Sequence, residues 1–126
     1  MIESIDHLVI TVRDLDATLA FYEKLLDCSV IREPDRPTAL VFGSCKINVH
    51  EVTRTFEPKA KAPAPGAADF CLIADRPLAE VIRRLQQNGV AIELGPVSRT
   101  GAHGEMTSVY FRDPHQNLIE VSKYPD

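Results

Sequence analysis

The chain carries the same order of hydrophobic patterns twice. In the first copy, apolar residues alternate with mixed ones over residues 4–12, which is typical of a strand with one buried face. A helix follows, with Asp14 or Asp16 as its N-cap. Short apolar runs at 28–32, 39–42 and 46–52 predict three more strands. The buried stripe of the predicted helix consists of Leu15, Leu19, Tyr22 and Leu26.

The second copy begins at Ala68 and repeats this order. Asp75 is the expected cap of its helix, and Asn88-Gly89 is a strong stop signal. The stripe of that helix consists of Leu78, Val81, Ile82 and Leu85. Strands are predicted at 68–74, 90–94, 106–112 and 117–124, with a flexible loop at 95–104.

Between the copies, residues 54–67 are rich in Pro, Ala and Lys and show no period, which indicates a linker. We therefore expect a single domain over residues 1–126, with module one at 1–53 and module two at 68–126. The fold class is α+β. Two βαβββ modules should form a curved eight-stranded sheet or open barrel, with helices outside and a cleft inside.

The alternation of side chains predicts which polar residues face that cleft. His7, His50, Asp69 and Glu120 fall opposite the apolar, helix-covered faces of their strands. Two imidazoles and one or two carboxylates are a ligand set for a divalent metal ion with open positions, and Fe, Mn, Co, Ni and Zn all suit it. A metal ion would also give Glu120 the positive partner that an acid in an apolar strand needs.

Composition narrows the class of protein. The net charge of −4 gives no sign of nucleic acid or an anionic membrane as partner. No apolar run is long enough to span a bilayer, and the N-terminus lacks the features of a signal peptide, so a cytoplasmic location is expected. Three unclustered cysteines predict buried free thiols rather than disulfides.

Three segments of the chain resemble one family, the vicinal oxygen chelate superfamily of glyoxalases, bleomycin-resistance proteins and dioxygenases. The resemblance covers nearly the whole chain and is greatest for small proteins of the glyoxalase-domain-containing protein 5 type. The segments are Ile5-Asp6-His7-Leu8-Val9-Ile10-Thr11-Val12, Ala20-Phe21-Tyr22-Glu23-Lys24-Leu25-Leu26, and Tyr110-Phe111-Arg112-Asp113-Pro114-His115-Gln116-Asn117-Leu118-Ile119-Glu120.

The resemblance implies a metal ion held by residues of both modules. His7 and Glu120 match family ligand positions, and His50 falls where members place Glu or His, with Glu51 as the alternative if the register slips by one. Asp69 falls where many members have His, so it either ligates, holds a water or leaves a three-ligand site. Members often exchange modules between chains, which implies a homodimer.

The reaction implied by the resemblance is that of a metal-dependent lyase or isomerase acting on a small metabolite that chelates through neighbouring oxygens. The alternatives are an Fe(II) ring-cleavage dioxygenase and a metal-free, bleomycin-resistance-like drug-binding module. Glu120 is the expected catalytic base, with Asp69 as the other candidate.

Tyr110 and His103 are the expected substrate-binding residues. Tyr110 falls on the cleft face of its strand, and His103 or Arg99 in the predicted 95–104 loop is expected to meet a substrate anion. Arg112 is expected to pair with acids, and His115 in the turn is expected to be exposed.

Overall fold

The structure, a computed structural model, describes residues 1–126 and divides into two compact units, residues 1–67 and 68–126. In unit one, the strand order is β1-β4-β3-β2, with β1 parallel to β4 and the other pairs antiparallel. The elements of unit one are β1 (His7–Val12), α1 (Leu15–Leu26), β2 (Ser29–Ile31), β3 (Ala39–Phe42) and β4 (Cys45–Glu51).

Unit two repeats this topology. Its strand order is β5-β8-β7-β6, again with one parallel pair, β5 with β8. The elements of unit two are β5 (Asp69–Ile73), α2 (Leu78–Gln87), β6 (Leu94–Gly101), β7 (Gly104–Arg112) and β8 (Leu118–Lys123). The predicted α+β class and the two βαβββ modules are confirmed, with the eight strands in two mixed sheets of four.

The core of unit one lies between α1 and one face of its sheet. Ile10, Val12 and Ile47 are at most 2% exposed, and Tyr22 of the helix is completely buried. Asp14 caps α1 by accepting a hydrogen bond from the Ala17 N–H at 3.0 Å, as predicted. The helix buries Leu25 rather than the predicted Leu26.

In unit two, Phe111, Ile119 and Leu85 of α2 are fully buried, while the rest of the helical stripe is half-buried. The expected cap of α2 at Asp75 was wrong, because the helix starts after Pro77 and has no side-chain cap. Neither helix of the chain is long and apolar enough to cross a membrane.

The strand β6 differs from the prediction. Residues 90–93 are not a strand, since the Val90 N–H bonds the Leu85 carbonyl at the end of α2. Instead β6 begins at Leu94 and continues through the region predicted to be a loop, pairing with β7 down to Gly101 opposite Gly104. This tight hairpin makes Arg99 a strand residue rather than a loop residue.

Residues 52–68 contain no helix or strand, apart from an isolated bridge between Glu51 and Arg54, which agrees with a linker-like segment. All three cysteines are free thiols. The expectation that they are buried holds for Cys28 alone, since Cys45 is half-buried and Cys71 is exposed.

Candidate functional site

His7 is the first residue of β1 and is held by its neighbour in sequence. Its Nδ1 lies 2.7 Å from Oδ1 of Asp6, and the imidazole is 42% exposed. The hydrogen bond to His7 holds the pKa of the Asp6 carboxyl below its usual value. A carboxylate that accepts from Nδ1–H fixes the ring and leaves Nε2 with a free lone pair, which is how metal-binding histidines are commonly oriented.

Asn48 lies on the same face of the sheet as His7. The parallel ladder pairs His7 with Lys46 and Val9 with Asn48, so Asn48 is the diagonal neighbour of His7. Asn48 is only 7% exposed, and its Oδ1 atom has no hydrogen-bond partner. A buried amide oxygen without a partner is costly. A cation or a hydrogen-bond donor would satisfy this oxygen.

His50 lies two residues further along β4, opposite Thr11. Its ring packs edge-on against the ring of Phe56, with centroids 5.3 Å apart. Burial lowers the pKa of His50. His50 shares the face of His7 and Asn48, but the ladder places it opposite the far half of β1.

Unit two presents the corresponding pair of residues. Asp69 is the first residue of β5 and is exposed. The ladder pairs Asp69 with Leu118 and Cys71 with Glu120, which makes Glu120 the diagonal neighbour of Asp69.

The two parallel ladders show which residues occupy matching positions in the two units. His7 corresponds to Asp69, and the counterpart of Glu120 in unit one is then Asn48, not His50. The sequence held a signal for this, because Ile47-Asn48-Val49 repeats as Ile119-Glu120-Val121. The sequence prediction chose His50 rather than Asn48 as the ligand because it compared only titratable residues.

Glu120 is half-buried, and no cation pairs with it. Its Oε2 accepts a hydrogen bond from the Ser122 hydroxyl at 3.2 Å. Ser122 also contacts the hydroxyl of Ser108 at 2.6 Å and the thiol of Cys71 at 3.2 Å. This chain of hydroxyls fixes one oxygen of the Glu120 carboxylate and leaves the other available to a ligand.

The four predicted ligands do not come together in one cluster. No group of three or more His, Cys, Asp and Glu side chains in the chain is arranged to hold a metal ion. The structure instead gives two pairs of donors, His7 with Asn48 in unit one and Asp69 with Glu120 in unit two.

The donors present nevertheless suit a divalent ion in their chemistry. Imidazole nitrogen, amide oxygen and carboxylate oxygen are all ligands of first-row metals. Two features of the chain favour such a use, the partnerless Oδ1 of Asn48 and the Glu120 carboxylate without a cation. In chemistry alone, therefore, these donors suit the divalent metal ion that the sequence predicts, although the structure shows no cluster of three or more His, Cys, Asp and Glu side chains arranged to hold one.

Tyr110 lies directly opposite Glu120 in the β7–β8 ladder, on the face that was predicted. The phenol oxygen of Tyr110 accepts a hydrogen bond from Nε of Arg99 at 2.9 Å. Arg112 pairs with Glu93 at 3.0 and 3.1 Å, which agrees with the expected pairing with an acid.

His103 occupies the β6–β7 hairpin turn, where its backbone N–H bonds the hydroxyl of Tyr124 at 3.0 Å. The turn is six residues from Tyr110 along β7, or about 20 Å of strand. The structure therefore does not bring His103 near Glu120.

The turn between β7 and β8 buries Asp113, His115 and Asn117, while Pro114 and Gln116 are exposed. His115 is only 6% exposed, so the expectation of an exposed side chain was wrong. The carboxylate of Asp113 accepts the backbone N–H groups of His115 and Asn117, at 2.9 and 3.0 Å, and draws the turn inward. The turn sets where β8, and with it Glu120, begins.

These paired βαβββ units define the class of the protein. Residues 4–121 match the model of the Glyoxalase/Bleomycin resistance protein/Dioxygenase superfamily, and the chain belongs to this superfamily.

Similar proteins cover nearly all of the chain. The Virulence protein STM3117 of Salmonella typhimurium is 48% identical over 124 residues, which is 98% of this chain and 86% of that protein. Its crystal structure matches with a TM-score of 0.95 over 99% of both chains. The Glyoxalase domain-containing protein RDO1 of Mycosarcoma maydis is 46% identical over 125 residues, 99% of this chain and 70% of that protein.

A more distant structure shares the fold alone. The lactoylglutathione lyase from Agrobacterium tumefaciens is 23% identical to this chain, with a TM-score of 0.74 over 98% of this chain and 95% of that one.

Proposed function

We propose that this protein is a divalent-metal-dependent lyase or isomerase of the glyoxalase-like type. Its substrate would be a small metabolite that chelates the ion through neighbouring oxygens. The observation that carries the proposal is a pair of donor side chains that occurs in both units. In each unit one donor begins the first strand, and the other lies diagonal to it on the last strand, which runs parallel to the first. Their chemistry suits a divalent ion of the Fe, Mn, Co, Ni and Zn group.

The ligands we assign are His7, Asn48, Asp69 and Glu120. Asp6 orients His7 through Nδ1 and so presents Nε2. Asn48 would contribute its buried Oδ1, in place of the imidazole of His50. A divalent ion held there would polarise two neighbouring oxygens of a substrate and stabilise negative charge that develops beside them.

Glu120 is the residue we assign to proton transfer. The Ser122 hydroxyl holds Oε2 at 3.2 Å, which leaves Oε1 able to accept a proton from a carbon next to the substrate's carbonyl. Asp69 is the second candidate base, because its carboxylate is exposed on the same face of the sheet. Replacing each by its amide separates the two roles, since an amide can still ligate weakly but cannot take the proton.

Metal titration tests the donor set. Calorimetry of the chelator-treated protein with Mn(II) and Zn(II) should show one ion per chain, and His7→Ala should weaken binding by about 10- to 100-fold or more. Asn48→Ala should weaken it, whereas the matched variant His50→Ala should not. If His50→Ala loses the ion and Asn48→Ala keeps it, our assignment of the fourth donor is wrong. If no ion binds, a metal-free binding module becomes the better interpretation.

The reaction class needs a separate measurement. We would incubate metal-loaded protein in deuterated water with a panel of 2-hydroxyaldehydes and 2-hydroxyketones and follow the loss of the C–H signal by NMR. Wild type should exchange the proton next to the carbonyl, and Glu120→Gln should not. Oxygen uptake with catechols on the Fe(II)-loaded protein, without any deuterium exchange, would favour the dioxygenase instead.

We also propose a homodimer in which modules are exchanged between chains. Two inactive variants test this, since His7→Ala and Glu120→Gln affect different units. In an exchanged dimer, mixing both variants creates one intact set of donors in each mixed dimer. About one quarter of wild-type deuterium exchange should then return after co-expression, and none should return if each chain builds its own site.

A further inference from the structure

One arginine on the Glu120 face of unit two has no carboxylate partner. Arg99 donates from Nε to the Tyr110 hydroxyl at 2.9 Å and from Nη1 to the Ser98 carbonyl at 3.1 Å. Its guanidinium lies 5.5 Å from the centroid of the Tyr110 ring. A guanidinium carries five N–H donors, so most of them remain free. Because the side chain is exposed, these donors are accessible to a ligand.

The other arginine on this face, Arg112, differs because it has a carboxylate partner. Arg112 bonds both carboxylate oxygens of Glu93, at 3.0 and 3.1 Å. That hydrogen bond raises the pKa of Arg112 and lowers the pKa of Glu93. Arg112 therefore has its counterion within the chain, whereas Arg99 has none.

The position of Arg99 relates it to the proposed site. The ladders place Arg99 opposite Met106, and Tyr110 opposite Glu120. Met106 and Tyr110 are four residues apart on β7, so all four side chains project from the same face of the sheet. Directly opposed residues have Cβ atoms about 5 Å apart. A group bound at the Tyr110 hydroxyl would thus lie one strand away from the Glu120 carboxylate.

The chemistry of the pair is that of an anion receptor. The Tyr110 oxygen accepts from Arg99, and its own O–H proton is free to donate elsewhere. The free N–H groups of the guanidinium and this O–H are donors of the kind that suit a carboxylate or phosphate oxygen. Holding the guanidinium against the ring also reduces its freedom before a ligand arrives.

We propose that Arg99 and Tyr110 bind an anionic group, a carboxylate or a phosphate, on the same substrate whose neighbouring oxygens chelate the metal ion. The substrate class is then a small metabolite that carries two neighbouring oxygen atoms and a carboxylate or phosphate group. This inference rests on the proposed function only where it states that the substrate chelates the metal ion. The anion anchor itself consists of residues of unit two and can be tested without a metal ion.

The first experiment titrates inorganic phosphate, and separately acetate, into chelator-treated protein. Binding is followed by the NMR signals of the arginine Nε–H groups and the tyrosine rings. The Arg99 and Tyr110 signals should shift and saturate with one of the two anions. Arg99→Gln should abolish this shift, and the matched variant Arg112→Gln should keep it. No saturable shift with either anion, or equal loss in both variants, would overturn the anchor.

The second experiment tests the link to chelation. Acetohydroxamate, phosphoglycolohydroxamate and malonohydroxamate all chelate through neighbouring oxygens, but only the last two carry an acid group. By calorimetry on Mn(II)-loaded protein, the preferred acidic ligand should bind about ten-fold or more tighter than acetohydroxamate. Arg99→Gln should remove this advantage and leave acetohydroxamate unchanged, while Arg112→Gln should keep it. If phosphoglycolohydroxamate binds more tightly than malonohydroxamate, the preferred anion is phosphate, and the reverse order identifies carboxylate.

The outcomes separate the two proposals. If all three hydroxamates bind the metal-loaded protein equally well, the anchor is wrong and the proposed function stands. If the protein binds no metal ion but the phosphate or acetate titration still saturates at Arg99, the proposed function fails and the anchor stands.

Discussion

Replacing Asp113 with Asn would remove one acceptor from a buried network at the β7–β8 turn. Asp113 is 2% exposed and Asn117 is 1% exposed. The Oδ2 atom of Asp113 accepts from Nδ2 of Asn117 at 2.8 Å, in addition to the two backbone donors on Oδ1. Oδ1 of Asn117 accepts the N–H of Ala68 at 2.9 Å, so the network ties the turn to the strand that begins at Asp69.

The cost follows from counting the groups that change. An Asn at position 113 can keep the two backbone hydrogen bonds through its oxygen, but it turns an NH₂ group towards Nδ2 of Asn117. One hydrogen bond to a charged acceptor is lost, at about 1.5–3 kcal/mol, and a buried donor is left unpaired, at about 1–3 kcal/mol. Allowing for local relaxation, we expect Asp113→Asn to lower the free energy of unfolding by about 3 kcal/mol.

Urea unfolding followed by far-UV circular dichroism measures this loss, since the chain has no Trp. With a slope near 2 kcal/mol/M, the midpoint should fall by about 1.5 M. The control is Asp75→Asn, whose carboxylate is 82% exposed and bonds Arg76. That variant should stay within about 0.5 kcal/mol of wild type. A midpoint for Asp113→Asn as close to wild type as the control's would refute the reasoning.

Two further predictions concern a backbone position and a thiol. In Gly95→Ala the new Cβ would clash with the Ser108 carbonyl oxygen at a φ of +111°, so the free energy of unfolding should fall by about 2 kcal/mol or more. In Gly43→Ala the new Cβ would meet no atom within 4 Å, and the loss should be about 1 kcal/mol. Urea midpoints compare them, and equal losses would contradict the clash. Burial, followed by the charge of Asp27, raises the pKa of Cys28 to about 11. At about pH 8, iodoacetamide should label Cys45 in the native protein and Cys28 only after unfolding, as read by mass spectrometry; rapid native labelling of Cys28 would show that it is accessible.

The first strand shows why much of the fold could be predicted from the sequence. In β1, Ile10 and Val12 are buried against the helical side, while Val9 on the other face is 47% exposed. One helix covers one face of the strand, so the alternation of apolar and polar residues directly reports which face is buried. The repeat then doubled this information, because unit two follows the same order of elements.

What the sequence could not supply were features that depend on pairing between strands. The β6 strand contains Gly95 and Pro96 and few apolar residues, and only its ladder with β7 makes it a strand. His115 is buried because Asp113 draws in the backbone of the turn, an effect that no hydrophobic period encodes. Faces can be read from a period of two, but register requires knowledge of the partner strand.

The exchange of His50 for Asn48 changes the chemistry of the proposed centre more than its location. With His50 the set would hold two imidazoles and two carboxylates; with Asn48 it holds one imidazole and three oxygen donors. Under our proposal, the charges of Asp69 and Glu120 would balance a divalent ion, and the neutral donors would come from unit one. Carboxylate and carbonyl oxygens suit Mn(II), whereas imidazoles favour Zn(II) and Ni(II). Asn48→His should therefore raise the affinity for Zn(II) relative to Mn(II), because it restores the second imidazole at the position that the register assigns.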